Sequence, residues 1–183
     1  DYLEFRLRRY LTFAEFKSEL APHFGLGLEG YATWTSPIRK YSDMVNHRLI
    51  KAVLTQQACE KPQDEVLARL QEARRQNRLV ERDIADWLYC RYLADKVAEN
   101  VEFDAEVQDV MRGGLRVQLL ENGASMFVPA STLHPNKDEM QVNGDELALY
   151  IQGERRYKIG DLVKVKLTEV REETRSIIGQ LII

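Results

Sequence analysis

From about residue 102 onward the chain alternates apolar and polar side chains in short runs separated by glycine-bearing turns. A period of two puts every second side chain on one face, so each run has the pattern of a half-buried β-strand. Five strands are expected, near residues 102–110, 115–121, 125–129, 161–170 and 175–183. Gly113-Gly114 and Asn122-Gly123 supply tight turns between the first three. Residues 130–133 suit one helical turn, and residues 142–157 read as an extra hairpin or loop before the fourth strand. Five short strands in this order suit a small closed barrel.

The preceding part, to about residue 98, is patterned for helices. Thr35-Ser36-Pro37 predicts a helix start, with Ser36 as N-cap and Pro37 at the first helical position, where a missing N–H costs nothing. Ile38, Tyr41, Val45, Leu49 and Val53 then give one buried face through about Leu54. A second start at Lys61-Pro62 opens a long pattern to about Val97, with Leu70, Val80, Ile84, Leu88 and Tyr92 on its apolar stripe. Further upstream, residues 5–16 join an Arg-rich stretch to an apolar one without a clear conformation, and residues 23–28 alternate like a buried strand. The expected architecture is therefore α+β in two units, 1–99 helix-rich and 100–183 a five-stranded barrel, joined near Glu99-Asn100.

Composition narrows the setting. A net charge of −3 argues against a chain that coats nucleic acid indiscriminately, while leaving room for a local basic groove. There is no apolar run of about 18 residues, so no membrane partner is expected. Asp1-Tyr2-Leu3-Glu4 is unlike a signal peptide and lacks an initiator Met, which fits a fragment or a processed product. Cys59 and Cys90 lie far apart without metal or disulfide spacing, and a reducing cytoplasm is the expected location.

Two residues stand out as carriers of chemistry. Arg39, in the opening turn of the expected Pro37 helix, combines a planar guanidinium with free backbone N–H groups, which suits a phosphate. The competing reading is a surface i,i+4 pair with Asp43. Glu81 falls on the apolar stripe of the long helix, where a carboxylate needs a partner. An internal bridge to Arg74, Arg78 or Arg82 is the plainer reading. Asp83 with Asp86, and Glu172 with Glu173, read as solvated charges, because hydrolytic metal clusters draw carboxylates from several segments. His23, His47 and His134 show no metal spacing.

The stretch from His23-Phe24-Gly25-Leu26-Gly27-Leu28 through Tyr31 and Thr35-Ser36-Pro37-Ile38-Arg39-Lys40-Tyr41-Ser42-Asp43 strongly resembles the closing motif of the ribonuclease II catalytic domain. Trp34 stands where a Phe is common, and Lys40 where a second Arg is common. Asn77 to Tyr89, including Glu81, is similar to the helix that follows in the family. The resemblance implies 3'→5' hydrolysis of single-stranded RNA to nucleoside 5'-monophosphates, with magnesium held by aspartates earlier in the domain. It gives Arg39 the scissile phosphate and Glu81 the terminal nucleotide, and it places Tyr31, Thr35, Ser36 and Lys40 against RNA. The Asp-rich motif and the upstream cold-shock-like domains are absent from these 183 residues. No magnesium is therefore expected on this chain alone, and the isolated chain is expected to be inactive. The missing N-terminal part of the same enzyme is an expected partner.

Residues 100–183 resemble an S1 domain, an RNA-binding OB-fold, through Gly113-Gly114-Leu115-Arg116-Val117, Phe127-Val128-Pro129 and Tyr157-Lys158-Ile159-Gly160-Asp161. Aligned by the glycines, Gly113 and Arg116 occupy the usual aromatic places and Pro129 the usual His. The expectation is that Arg116, Arg171 and Arg175 form a phosphate-tracking patch in place of stacked rings. Ordinary barrel-surface charge is the alternative.

Overall fold

The computed structural model describes Leu3, Leu7 and residues 10–182. The Arg-rich stretch expected from Phe5 falls mostly outside them, as does Ile183. The chain divides into two compact units, one spanning Leu11–Val80 and the other containing Glu81 onward.

In the second unit, β1 (Glu102–Met111), β2 (Gly114–Leu119), β3 (Ser125–Pro129), β7 (Leu162–Arg171) and β8 (Ser176–Leu181) close into a barrel in the order β1-β2-β3-β8-β7. All neighbours are antiparallel except β3 and β8, which meet in parallel at Phe127 and Ile178. The period-two pattern is borne out in the burial. Leu115, Val117 and Leu119 point inward with no exposure, while Arg116 and Gln118 between them face solvent. Gly114 could be nothing else. Its φ is +142°, and a Cβ there would stand 2.0 Å from the Val128 carbonyl oxygen.

The excursion expected at 142–157 is a three-stranded antiparallel sheet, β4 (Met140–Asn143), β5 (Ala148–Ile151) and β6 (Glu154–Lys158). Ala148, Leu149 and Ile151 bury themselves against the core, which closes one face of that sheet. The expected single helical turn is α3 (Ala130–Leu133).

Helix α1 covers Tyr41–Leu54 and helix α2 covers Asp64–Leu93, followed by a short 3-10 turn at Asp95–Val97. The last turns of α2 belong to the barrel unit. Cys90 and Leu93 are fully buried in its core, and Tyr89 Oη donates to the Asn122 carbonyl at 2.9 Å.

Three expectations need correction. The helix expected from Ser36-Pro37 begins at Tyr41 instead, with Lys40 as an extended N-cap, because Asp43 captures the Ser36 N–H and bends residues 36–40 into a turn. Residues 23–28 are not a strand. Phe24–Leu26 forms a 3-10 turn closed by an isolated bridge between His23 and Leu28, and Phe24 is exposed. The apolar faces of the two helices are also less covered than their periodicity implies. Ile38, Tyr41 and Val53 are exposed around α1, as are Val80, Ile84, Leu88 and Tyr92 on α2.

Candidate nucleic-acid interface

The residues singled out between Tyr31 and Lys40 lie on one stretch, and side chains from the start of α1 hold it. Asp43 is fully buried, the one charged side chain so placed among the described residues. Its Oδ1 accepts from Thr33 Oγ1 at 2.6 Å and Ser42 Oγ at 3.2 Å, while its Oδ2 accepts from the Ser36 N–H at 3.0 Å. One turn further on, Asn46 Nδ2 donates to the Thr33 carbonyl at 2.7 Å, and His47 Nε2 donates to the Trp34 carbonyl at 2.7 Å. Burial alone would raise the Asp43 pKa. The hydrogen bonds from Thr33, Ser36 and Ser42, with the nearby Lys40 charge, outweigh it and hold the carboxyl below its usual value.

The clasp decides where Arg39 goes. The Ser36 carbonyl accepts from the Arg39 and Lys40 N–H groups at 3.2 and 2.9 Å, so Arg39 rides on a turn and not in the first turn of a helix. The Asp43 pairing weighed for it does not form, since both Asp43 oxygens are engaged elsewhere. Arg39 and Lys40 are exposed, as are Tyr31 and Thr35; Ser36 is half-buried. Tyr31 packs edge-on against His23, with ring centroids 5.5 Å apart. The strip thus offers two cations and two aromatic rings, Tyr31 and Trp34, to solvent.

Glu81 is exposed on α2 and makes no ion pair among the described residues. The apolar stripe on which it sits is itself exposed, so its carboxylate keeps its water and needs no internal bridge. Two of the arginines considered as its partners lie over aromatic rings instead, Arg74 over Phe16 at 5.7 Å and Arg78 over Phe13 at 5.8 Å.

On the barrel, strand register places side chains that the sequence left separate. Asp109, Arg116, Phe127, Ile178 and Glu169 are lateral partners across β1, β2, β3, β8 and β7. Their neighbours Leu115, Met126, Val128 and Ile177 point inward, so this row lies on the outer surface. The Phe127 ring reaches over the glycine turn, and a Cβ on Gly113 would stand 3.6 Å from its Cζ. Phe127 served in the sequence only as a cue of the S1 resemblance and had no place in the expected interface. It lies opposite Arg116, beside the vacated aromatic place at Gly113. The available signal was its place between the buried Met126 and Val128.

The three barrel arginines differ in freedom. Arg116 is exposed and unpaired among the described residues. Arg171 is held by Glu169, Nε to Oε1 at 2.6 Å and Nη2 to Oε2 at 2.8 Å. Arg175 faces Asp83 on α2 at 3.4 Å.

This architecture defines a class: a helical segment followed along the chain by a five-stranded OB-type barrel. A family model described as RNB domain matches residues 1–56, and one described as S1 RNA binding domain matches residues 96–181. Its first part is thus similar to the RNB family, of ribonuclease II type, and its last part to S1 domains. It is 87% identical over 182 residues to a Haemophilus influenzae protein named Exoribonuclease 2 and 83% identical to that of Mannheimia succiniciproducens. It spans 28% of the length of these curated relatives. Among solved structures, apo Mycoplasma genitalium RNase R shares the fold with a TM-score of 0.76 at 24% identity, over 96% of this chain and 28% of that one. The same protein in complex with ribose methylated single-stranded RNA gives 0.77 at the same identity and coverage.

Proposed function

We propose that this chain is the RNA-holding part of an exoribonuclease that removes nucleoside 5'-monophosphates processively from the 3' end of single-stranded RNA in the cytoplasm. Arg39 grips the scissile phosphate, Glu81 contacts the terminal nucleotide, and Tyr31, Thr35, Ser36 and Lys40 contact RNA. Residues 100–183 act as the S1 domain that anchors RNA, and residues 1–99 as the end of the catalytic domain. The observation that supports this best is the exposed, unpaired guanidinium of Arg39 on a turn fixed by buried hydrogen bonds. A guanidinium pre-set against a phosphate stabilises the charge that develops during phosphoryl transfer.

Magnesium belongs to this reading, but not on this chain. Among the described residues no group of three or more His, Cys, Asp or Glu is placed to hold a metal ion. The ion and its aspartates are assigned to the rest of the protein, which is also this chain's proposed partner. Among the same residues, no helix is long and apolar enough to cross a membrane.

The test is Arg39→Ala in the full-length protein. Mononucleotide release should fall about 100-fold or more, the usual loss when a charge-stabilising donor is removed. An unchanged rate refutes the assignment. The isolated chain should release no mononucleotides with magnesium present, and detectable release would refute its dependence on the remaining protein. A second reading, a binding module that anchors RNA by the barrel alone, draws on the row of Arg116, Phe127 and Ile178. Under it, Arg39→Ala changes neither the rate nor RNA affinity, while Arg116→Ala weakens binding.

A further inference from the structure

The most completely satisfied charge in the clasp is one that the proposed function leaves without a part. We infer that Asp43 is a positioning residue, setting the turn of residues 36–40 so that Arg39 presents its guanidinium to an RNA phosphate while Asp43 itself touches no RNA. This rests on the reading of Arg39 as a phosphate ligand.

The connection is short and runs through the backbone. Asp43 Oδ2 accepts the Ser36 N–H, and the Ser36 carbonyl accepts the N–H groups of Arg39 and Lys40. One residue therefore lies between the carboxylate and the hydrogen bond that closes the turn under Arg39. The Arg39 side chain has no ion pair or ring contact among the described residues. The backbone is what orients it. Thr33 and Ser42 occupy the other carboxylate oxygen, and Asn46 and His47 fasten the segment just before the turn.

The chemistry explains why a carboxylate stands there. Three donors converge on its two oxygens, the Ser36 backbone N–H and the Thr33 and Ser42 hydroxyls. An asparagine could keep the Ser36 N–H on its one oxygen, but both hydroxyls would have to turn and accept from its amide, and the charge-assisted bonds would be lost. A buried ion is a costly way to stabilise a turn unless its geometry is needed. Arg39 supplies the need, because a bidentate grip on phosphate tolerates little misplacement.

A double-mutant cycle in the full-length protein tests this, with single-stranded RNA binding followed by fluorescence anisotropy. Arg39→Ala should weaken binding about 10-fold or more, as for hydrogen bonds to a charged group. Asp43→Asn should weaken it in the same direction. The double variant should bind within about two-fold of Arg39→Ala, because Asp43 acts only through Arg39. Thr33→Val, which removes a single bond to the carboxylate, should give a smaller loss that also vanishes in the Arg39→Ala background. It keeps the test available if Asp43→Asn does not fold. Losses that multiply in the double variant overturn the inference and mark Asp43 as structural only. No loss from Arg39→Ala overturns the phosphate reading, and this inference with it.

Discussion

The barrel arginines give the most quantitative prediction, because the structure changes the number expected from counting them. Single-stranded nucleic acid releases counterions as cations replace them, and log K falls with log salt by about 0.7 per phosphate neutralised. Three free arginines would give a slope of about 2.1 to be lost on replacing all three. Arg171, however, holds both Glu169 oxygens at 2.6 and 2.8 Å, and Arg175 faces Asp83 at 3.4 Å. A guanidinium that leaves a carboxylate for a phosphate frees that carboxylate to take up a cation, so net release is close to zero. Only Arg116 contributes fully. The triple variant Arg116→Ala, Arg171→Ala, Arg175→Ala should therefore flatten the slope by about 0.7. Arg116→Ala alone should do nearly the same. The assay is titration of labelled single-stranded RNA over a series of potassium chloride concentrations. A triple variant that loses a slope of about 2 refutes the pairing argument, and one that loses nothing refutes the phosphate patch itself.

Two further outcomes are expected. Phe127→Ala should lower single-stranded RNA affinity by about 5- to 100-fold, the range for losing one stacked base, without changing the salt slope. An unchanged affinity removes Phe127 from the interface. The Asp43 carboxyl is held below its usual value in the folded chain, so its ionised form favours folding. That contribution is complete above the ordinary value of 3.8 and is lost as pH falls from there through the depressed one. Urea melts of the chain and of Asp43→Asn should show the wild-type advantage shrinking on acidification below about pH 4, and an advantage that stays constant refutes the linkage.

The expected and observed barrels agree strand by strand to within two residues at the described ends. Inward Leu115, Val117 and Leu119 and outward Arg116 and Gln118 were legible because alternation is a local rule that burial enforces. The helical patterns were legible as helices and not as faces. Val80, Ile84 and Leu88 keep the right spacing for one stripe yet remain about half exposed, at 54%, 52% and 54%. Periodicity tells which residues share a side and says nothing of what covers it.

Around Arg39 the division is sharper. The sequence by itself determined that an arginine stands after Thr35-Ser36-Pro37, that the motif resembles a ribonuclease II closing segment, and that a small barrel follows. Local chemistry misread the start of α1, because Ser36 and Pro37 are good capping residues wherever their neighbours permit it. Only the tertiary structure decided that Asp43 reaches back across seven residues to the Ser36 N–H, turning a helix start into a clasped turn. It likewise decided that Phe127 lies opposite Arg116 and that Arg175 meets Asp83. Each of these pairings depends on where the folded backbone delivers a donor, an acceptor or a ring. Composition and spacing carry no record of that until the chain has closed on itself.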